Sequence, residues 1–233
     1  MVQYYNIAGL TVAMDTFGRT LEQSKPYLCE KAQPQIVIKS DWQGQQDGLP
    51  HLSRDDSEYI STGTWFYAEL LKFDGFLLHA SAVVVDGKAY LFSAASGTGK
   101  STHTSLWLQT FGNRAYILND DKPALRCVDG KWYAYGTPWS GKYDINTNAC
   151  VEVGGICFLR RGETNSIRPY TGAKAVFEFL QQTLRPKRED SRLVIMELLN
   201  RLMESVPVWQ LECNMDPEAV RVSYEAMSGR SLD

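Results

Sequence analysis

Leu91-Phe92-Ser93-Ala94-Ala95-Ser96-Gly97-Thr98-Gly99-Lys100-Ser101-Thr102 is the stretch whose reading decides the fold. An apolar run enters a loop of small residues, and Gly-Lys-Ser-Thr then opens a helical segment. This order matches the phosphate-binding pattern G-x-x-x-x-G-K-[ST], with Ala94 standing where the pattern has its first glycine. The pattern has a mechanical basis. Small residues let backbone N–H groups wrap a phosphate chain. The unpaired N–H groups and positive dipole end of the new helix then face its negative charge. Ala95, Ser96, Gly97, Thr98, Gly99, Lys100, Ser101 and Thr102 are therefore the expected nucleotide contacts. Lys100 is placed to reach the β- and γ-phosphates, and the Ser101 hydroxyl to ligate Mg²⁺.

Upstream of the loop, residues 76–85 and 88–93 are β-rich runs joined by Asp86-Gly87, a pair that favours the positive φ of a tight hairpin. The strand entering the loop is thus expected to pair antiparallel with the one before it, unlike the parallel neighbours of common nucleotide-binding sheets. Downstream, a helix over 100–110 ends at Gly112, and a buried strand over 115–118 leads into Asn119-Asp120-Asp121-Lys122-Pro123. A second hairpin follows over 124–135 around Asp129-Gly130, then a Gly/Pro/Trp loop at 136–142 and a strand at 155–160. The last third is expected to hold helices over 173–184 and 190–204, a strand over 206–213, and a helix over 218–227 announced by Asp216-Pro217. Before residue 76, strands over 7–14 and 36–39, a polar loop over 41–56 and a helix over 58–73 make up the pattern. The expected fold class is α/β, a mixed β-sheet with antiparallel hairpins and flanking helices. Residues 1–75 form a small β-rich region and 76–233 the core, together one compact unit.

The 233 residues are 44% hydrophobic and 22% charged, enough for a sizeable core. A net charge of −3 gives no electrostatic reason to expect nucleic acid as a partner. The five cysteines are scattered and form no C-x-x-C pair, so neither a disulfide framework nor a zinc site is indicated. The first residues lack a basic region followed by an apolar core, and no stretch approaches the ~20 apolar residues of a membrane span. A cytoplasmic setting without membrane association is expected, with a homo-oligomer left open.

Several residues outside the loop can carry chemistry. A phosphate loop needs a carboxylate from a neighbouring strand, and Asp120 and Asp121 end the apolar run at 115–118. Two adjacent carboxylates permit divided roles, one toward a metal and one accepting a proton from an attacking hydroxyl. His79, on the run paired with the loop-entering strand, can contact the γ-phosphate, the metal or the substrate. Lys142 in the 136–142 loop can neutralise transferring charge. His103 reads as cover for the surface of the loop helix. Arg160-Arg161 and Arg185-Pro186-Lys187-Arg188 are basic clusters suited to phosphates or an anionic substrate.

His79-Ala80-Ser81-Ala82, the loop Ala95 to Thr102 and Asn119-Asp120-Asp121, in that order, make the chain resemble the HPr kinase and phosphoenolpyruvate carboxykinase group of P-loop proteins. The whole chain looks like the small bacterial HPr-kinase-like proteins. The resemblance implies that His79 is a site residue and that one aspartate binds Mg²⁺ while the other is the base. Asp120 is favoured as base, and Asp121 with Ser101 as metal ligand. The chain departs from both families. It is far shorter than carboxykinases, and its residues 1–75 are too short to match their N-terminal domain. Cys150-Val151-Glu152-Val153-Gly154-Gly155 occupies the place of the HPr-kinase Glu-x-Arg-Gly-Leu-Gly stretch without its arginine.

The expected function is an ATP- and Mg²⁺-dependent kinase transferring the γ-phosphoryl group to a hydroxyl, on a serine of a peptide or protein or on a small molecule. Two alternatives stand beside it. One is a carboxykinase-like lyase acting on an oxo-acid, for which Arg19, Arg160, Arg161 and Arg185 would have to converge. The other is a non-catalytic nucleotide sensor, encouraged only by Ala94.

Overall fold

The computed structural model describes residues 1–186 and 188–232. The chain begins with a hairpin of β1 (Gln3–Ile7) and β2 (Leu10–Met14), then α1 (Gly18–Ser24), β3 (Ile36–Ile38), α2 (Trp42–Gly48) and α3 (Arg54–Leu70). Next come β4 (Gly75–Leu77), β5 (Ala80–Val85), β6 (Lys88–Ser93), α4 (Lys100–Phe111), β7 (Ala115–Asp121), β8 (Ala124–Val128) and β9 (Lys131–Tyr135). The chain finishes with β10 (Cys150–Arg161), β11 (Ser166–Pro169), α5 (Gly172–Gln181), α6 (Glu189–Ser205), β12 (Val208–Cys213) and α7 (Glu218–Ser228). The architecture is α/β, with a mixed sheet, antiparallel hairpins and flanking helices. β1, β2 and β3 form a small sheet, and the larger one runs β4-β8-β9-β10-β6-β5-β7, with β12 also on β10 and β11 on β12.

The central strands are buried on both faces, which is why they read as almost unbroken apolar runs. Alternation divides them cleanly. Ala82, Val84, Ala89, Leu91, Ile156 and Phe158 face α5 and α6, where Phe179, Ile195 and Leu199 meet them. Val83, Val85, Tyr90, Phe92, Cys157 and Leu159 face the opposite way, onto Trp107 and Phe111 of α4 and Tyr224 and Met227 of α7. β10 serves both halves of the sheet. Its start pairs antiparallel with β9 and its end parallel with β6 and β12. A register shift between Val153 and Gly155 lets Val153 and Ile156, three residues apart, share one face.

The small sheet is not free-standing. Tyr5, Ile7, Val12 and Ile36 pack with Tyr59, Phe66 and Leu70 of α3, and the same core takes in Ala124, Tyr135 and Trp139. Arg126 of β8 ties the two parts by donating to the carbonyls of Phe73 and Ala8.

Both Asp-Gly hairpins form where expected, with φ of 50° and 77° at Asp86 and Gly87 and the same at Asp129 and Gly130. The differences lie elsewhere. Residues 7–14 are not one strand but the second half of a hairpin turning at Ala8-Gly9, whose positive φ at an alanine carries no sequence signal. The polar stretch 41–56 contains α2, started by Asp41 accepting from the Gly44 N–H. α3 begins at Arg54 because Ser53 caps it, accepting from the Asp56 N–H. The run 76–85 is broken at Leu78 and His79 into β4, which pairs with β8, and β5, which pairs with β6 and β7. β10 starts five residues earlier than the expected 155, and α5 ends at Gln181 rather than 184.

Glu58 of α3 is fully buried against α1. The Thr20 hydroxyl donates to its Oε2, and Oε1 has no partner among the described residues. Burial pushes its pKa up to about 7, against the opposing hydrogen bond from Thr20. The folded state therefore holds this proton more tightly than the unfolded chain, so folding stability should fall as pH rises from about 4.5 to about 7. Denaturant unfolding at pH 5 and pH 8 checks this. Glu58→Gln should flatten the difference, and an equal difference in both proteins would contradict it.

Candidate functional site

The loop at 94–99 leaves β6 and turns into α4 through Gly97 and Gly99, with φ of 77° and 122°. These values need glycine. Ala94 is fully buried and is not among the residues with positive φ, so alanine at the first motif position strains no backbone. Its carbonyl accepts from Lys100 Nζ at 3.0 Å. Arg161, at the end of β10, donates to the carbonyls of Gly97 and Thr98 and fastens the loop's tip from the side.

A cavity of about 420 Å³ opens over this loop. His79, Lys100, Ser101, Asp120, Asp121 and Lys142 all line it, together with Ser96, Gly97, Gly99, Thr102, Gly141 and Tyr143. Of the expected loop contacts, Ala95 and Thr98 stand outside it, joined to each other by the Thr98 N–H on the Ala95 carbonyl.

Asp120 and Asp121 end β7, not a solvated turn beyond it. Adjacent strand residues ordinarily point to opposite faces. Asp121 has a φ of 153°, a conformation that side-chain-bearing residues rarely adopt, and both carboxylates line the same cavity. His79 Nε2 lies 2.9 Å from Asp121 Oδ1, and Lys122 Nζ lies 2.5 Å from Oδ2. Burial works against the Asp121 charge, but His79 and Lys122 outweigh it and hold the carboxyl well below the usual range. Asp120 is buried and has no side-chain hydrogen bond or ion pair among the described residues. Burial pulls the Lys100 ammonium down, with the charges of Asp121 and Asp120 acting against it.

His79 is fixed from behind by Gln182, just after α5. The His79 N–H donates to the Gln182 carbonyl at 2.7 Å, and His79 Nδ1 lies 2.9 Å from Gln182 Oε1. Asn119 is a hub under the carboxylates. Its amide donates to the Thr137 carbonyl, and its Oδ1 accepts from the Lys122 N–H at 2.7 Å. The Asn119-Asp120-Asp121 motif gives Asn119 no role of its own, and no local pattern in the sequence marks Gln182. The Gln182 contact joins residues 103 positions apart and has no local signature.

The loop carrying Lys142 is held by the N-terminal region. Arg19 donates to Asp144 Oδ1 and to the Gly141 carbonyl. The Tyr59 hydroxyl accepts from the Ser140 N–H at 2.6 Å, and Trp139 stacks on Phe66 at 4.9 Å. Lys142 itself is exposed, its ammonium 4.5 Å from the centre of the Tyr143 ring. The arginines a carboxykinase-like site would need do not converge here. Arg19 holds Asp144, Arg160 holds Glu178, Arg161 holds the loop, and Arg185 donates to the Leu180 carbonyl.

No group of three or more His, Cys, Asp and Glu side chains among the described residues could hold a metal ion by itself. The donor set still fits Mg²⁺ in a phosphate site, where one or two protein oxygens suffice beside phosphate and water. Ser101 offers an exposed hydroxyl in the cavity, and Asp121 a carboxylate held in its charged form. No helix among the described residues is long and apolar enough to cross a membrane.

No protein-family profile matches the chain, and no curated protein matches it by sequence. Among solved structures it is similar to the Hpr(Ser) kinase/phosphatase from Coxiella burnetii, at 14% identity and a TM-score of 0.38, over 66% of this chain and 99% of that one.

Gly141 and Gly97 share nearly the same positive φ, yet a Cβ on Gly141 would lie 2.8 Å from Asp121 Cβ, whereas one on Gly97 meets nothing within 4 Å. Gly97→Ala should thus cost only the backbone term of about 1–2 kcal/mol, and Gly141→Ala about 1–3 kcal/mol more. Urea unfolding of the two variants measures the difference, and equal losses would mean that Gly141 does not brace the carboxylates.

Proposed function

We propose that this protein is an ATP- and Mg²⁺-dependent phosphotransferase that passes the γ-phosphoryl group to a hydroxyl, on a serine of a peptide or protein or on a small molecule. The observation that carries this reading is the gathering of His79, Lys100, Ser101, Asp120, Asp121 and Lys142 around one cavity, from segments far apart in the chain. Phosphoryl transfer asks little covalent work of a protein. It asks for positioning and for positive charge where charge spreads over the equatorial oxygens.

The loop's N–H groups and Lys100 bind and orient the phosphates. His79 and Lys142 add positive or hydrogen-bonding groups at the same cavity. Asp120 and Asp121 take different roles because their surroundings differ. A carboxylate held far below the usual range is a weak base and a dependable negative charge, which suits Asp121 to a cation. Asp120, without a side-chain partner among the described residues, is the group that accepts the acceptor hydroxyl's proton. Ser101 and Asp121 would hold Mg²⁺, which would supply positive charge against the negative charge developing on the transferred phosphoryl group. Nothing in the arginine positions favours lyase chemistry on an oxo-acid.

ADP formation measured against a panel of serine peptides and against oxaloacetate tests this reading. Turnover is expected with a hydroxyl acceptor and not with oxaloacetate. Lys100→Ala should reduce it by about 10²–10³-fold, the scale of one lost charge-stabilising group. Asp120→Asn should leave the ATP dissociation constant within threefold while lowering turnover by about 10²–10⁴-fold. Equal loss of ATP binding in Asp120→Asn would make Asp120 a metal ligand and not the base.

A further inference from the structure

A groove of about 540 Å³, larger than the cavity over the 94–99 loop, lies between the end of α5 and the start of α6. Its apolar walls are Phe177 and Leu180 of α5 and Ile195 and Met196 of α6. Phe177 is 63% exposed, and Leu193, one helical turn before Met196, is 67% exposed. Apolar side chains left open on both walls of one groove mark a surface that a partner covers. The charge around it is one-sided. Arg185 and Arg192 line it, and no Asp or Glu does among the described residues. Glu189 and Asp190, which open α6, stand outside the lining, and Arg188 holds Asp190 at 2.8 Å. A protein of net charge −3 thus presents here an apolar groove with a cationic edge, complementary to a segment that is apolar and acidic.

The groove and the candidate site share one turn of chain. Gln181 and Thr183 line the groove. Gln182, between them, holds His79 through its carbonyl and its Oε1, and the Thr183 hydroxyl donates to the Leu77 carbonyl at 2.6 Å. One strand-like spacing of roughly 5 Å and the length of the His79 side chain separate the groove's edge from Asp121, about 10–15 Å in all. An extended segment of about four or five residues covers that span. A small molecule held over the 94–99 loop does not reach the groove across this turn, whereas a peptide chain does.

We propose that this groove docks the acceptor, a peptide segment whose apolar side chain, with Asp or Glu beside it, lies about four or five residues from the serine that is phosphorylated. The apolar side chain packs between Phe177, Leu180 and Met196, and the acidic group faces Arg185. The tethered serine then enters the cavity over the loop from the His79 side. Its Oγ forms the new bond to the γ-phosphorus of ATP as the bond to the β–γ bridging oxygen breaks. ADP leaves, and the hydroxyl proton goes to Asp120. The inference rests on the phosphotransferase reading and deepens it by naming the acceptor's chemistry and where it is held.

Synthetic peptides of about 16 residues with one serine each test this in three series, anchored by Leu-Asp-Glu, by Leu-Lys-Lys or by Ala-Asp-Glu. Within each series the anchor stands about two, four, six or ten residues from the serine. Fluorescence anisotropy reads docking, and ADP formation with Mg·ATP reads transfer. The Leu-Asp-Glu series should dock about tenfold more tightly than either other series, the scale of one lost apolar or charged contact. Its docking should not depend on spacing, whereas transfer should peak at about four to six residues, where the tether matches the span. Phe177→Ser should weaken its docking about tenfold, and Arg185→Glu should turn the preference toward Leu-Lys-Lys. Both variants should bind Mg·ATP within about twofold of the parent, which also reports that they are folded. Should either fail to fold, the three series on the parent decide the matter by themselves. The docking assignment is overturned, with the phosphotransferase reading intact, if the parent phosphorylates all three series with equal kcat/KM, or if it binds Mg·ATP and docks no peptide. It is also overturned if both folded variants dock the Leu-Asp-Glu series as the parent does, or if sedimentation velocity shows a parent dimer that Phe177→Ser dissociates, which makes the groove a contact between two copies. Peptides that dock as expected but are phosphorylated at no spacing overturn the phosphotransferase reading instead.

Discussion

One carboxylate organises the site. Asp121 sits between His79 and Lys122 at the end of β7, on a backbone conformation that a side chain rarely takes. Regular strand geometry would send Asp120 and Asp121 to opposite faces of the sheet. The departure at Asp121 brings both to one cavity, and the His79 and Lys122 side chains beside it offset the burial that would otherwise neutralise it. Neighbouring features serve this arrangement. Gln182 fixes His79 from behind, Asn119 fixes the Lys122 backbone from below, and Gly141 leaves room where a Cβ would strike Asp121.

The N-terminal region contributes no residue to the lining of the cavity over the 94–99 loop, yet it sets one wall of it. Arg19, Tyr27 and Tyr59 reach Asp144, Asn146 and Ser140, and Phe66 stacks on Trp139. Gly63 of α3 permits this approach, since a Cβ there would lie 2.9 Å from the Trp139 ring. Residues 1–75 thus act on the site through the loop that carries Lys142, by packing it and tying its ends.

The parts of the fold legible in the sequence are those written in local chemistry. The two Asp-Gly hairpins, the small-residue loop and the Gly112 stop each depend on a few adjacent residues whose backbone preferences are strong. The turn at Ala8-Gly9 was not legible, because alanine gives no hint of positive φ. Nor was α2, whose Gly- and Gln-rich sequence reads as loop until Asp41 is seen capping it. In the site, the loop motif and its flanking motifs single out His79, Lys100, Ser101, Asp120 and Asp121, the Gly/Pro/Trp loop adds Lys142, and the fold brings those six to one cavity. Gln182 and Arg19 were invisible as site supports because their contacts span more than a hundred positions. Arg161 was noticed as charge, but its task, holding loop carbonyls, is set by where β10 ends.

The central claim is that the cavity over the loop receives the terminal phosphates of a nucleotide, with the two aspartates on the acceptor side. A crystal structure of the protein grown with Mg²⁺ and a non-hydrolysable ATP analogue tests it most directly. The account requires the γ-phosphate within hydrogen-bonding reach of Lys100, the Ser101 hydroxyl and Asp121 on the metal, and Asp120 facing the open side of the γ-phosphate. A triphosphate bound away from residues 96–102, or one whose γ-phosphate points away from Asp120 and Asp121, would contradict it.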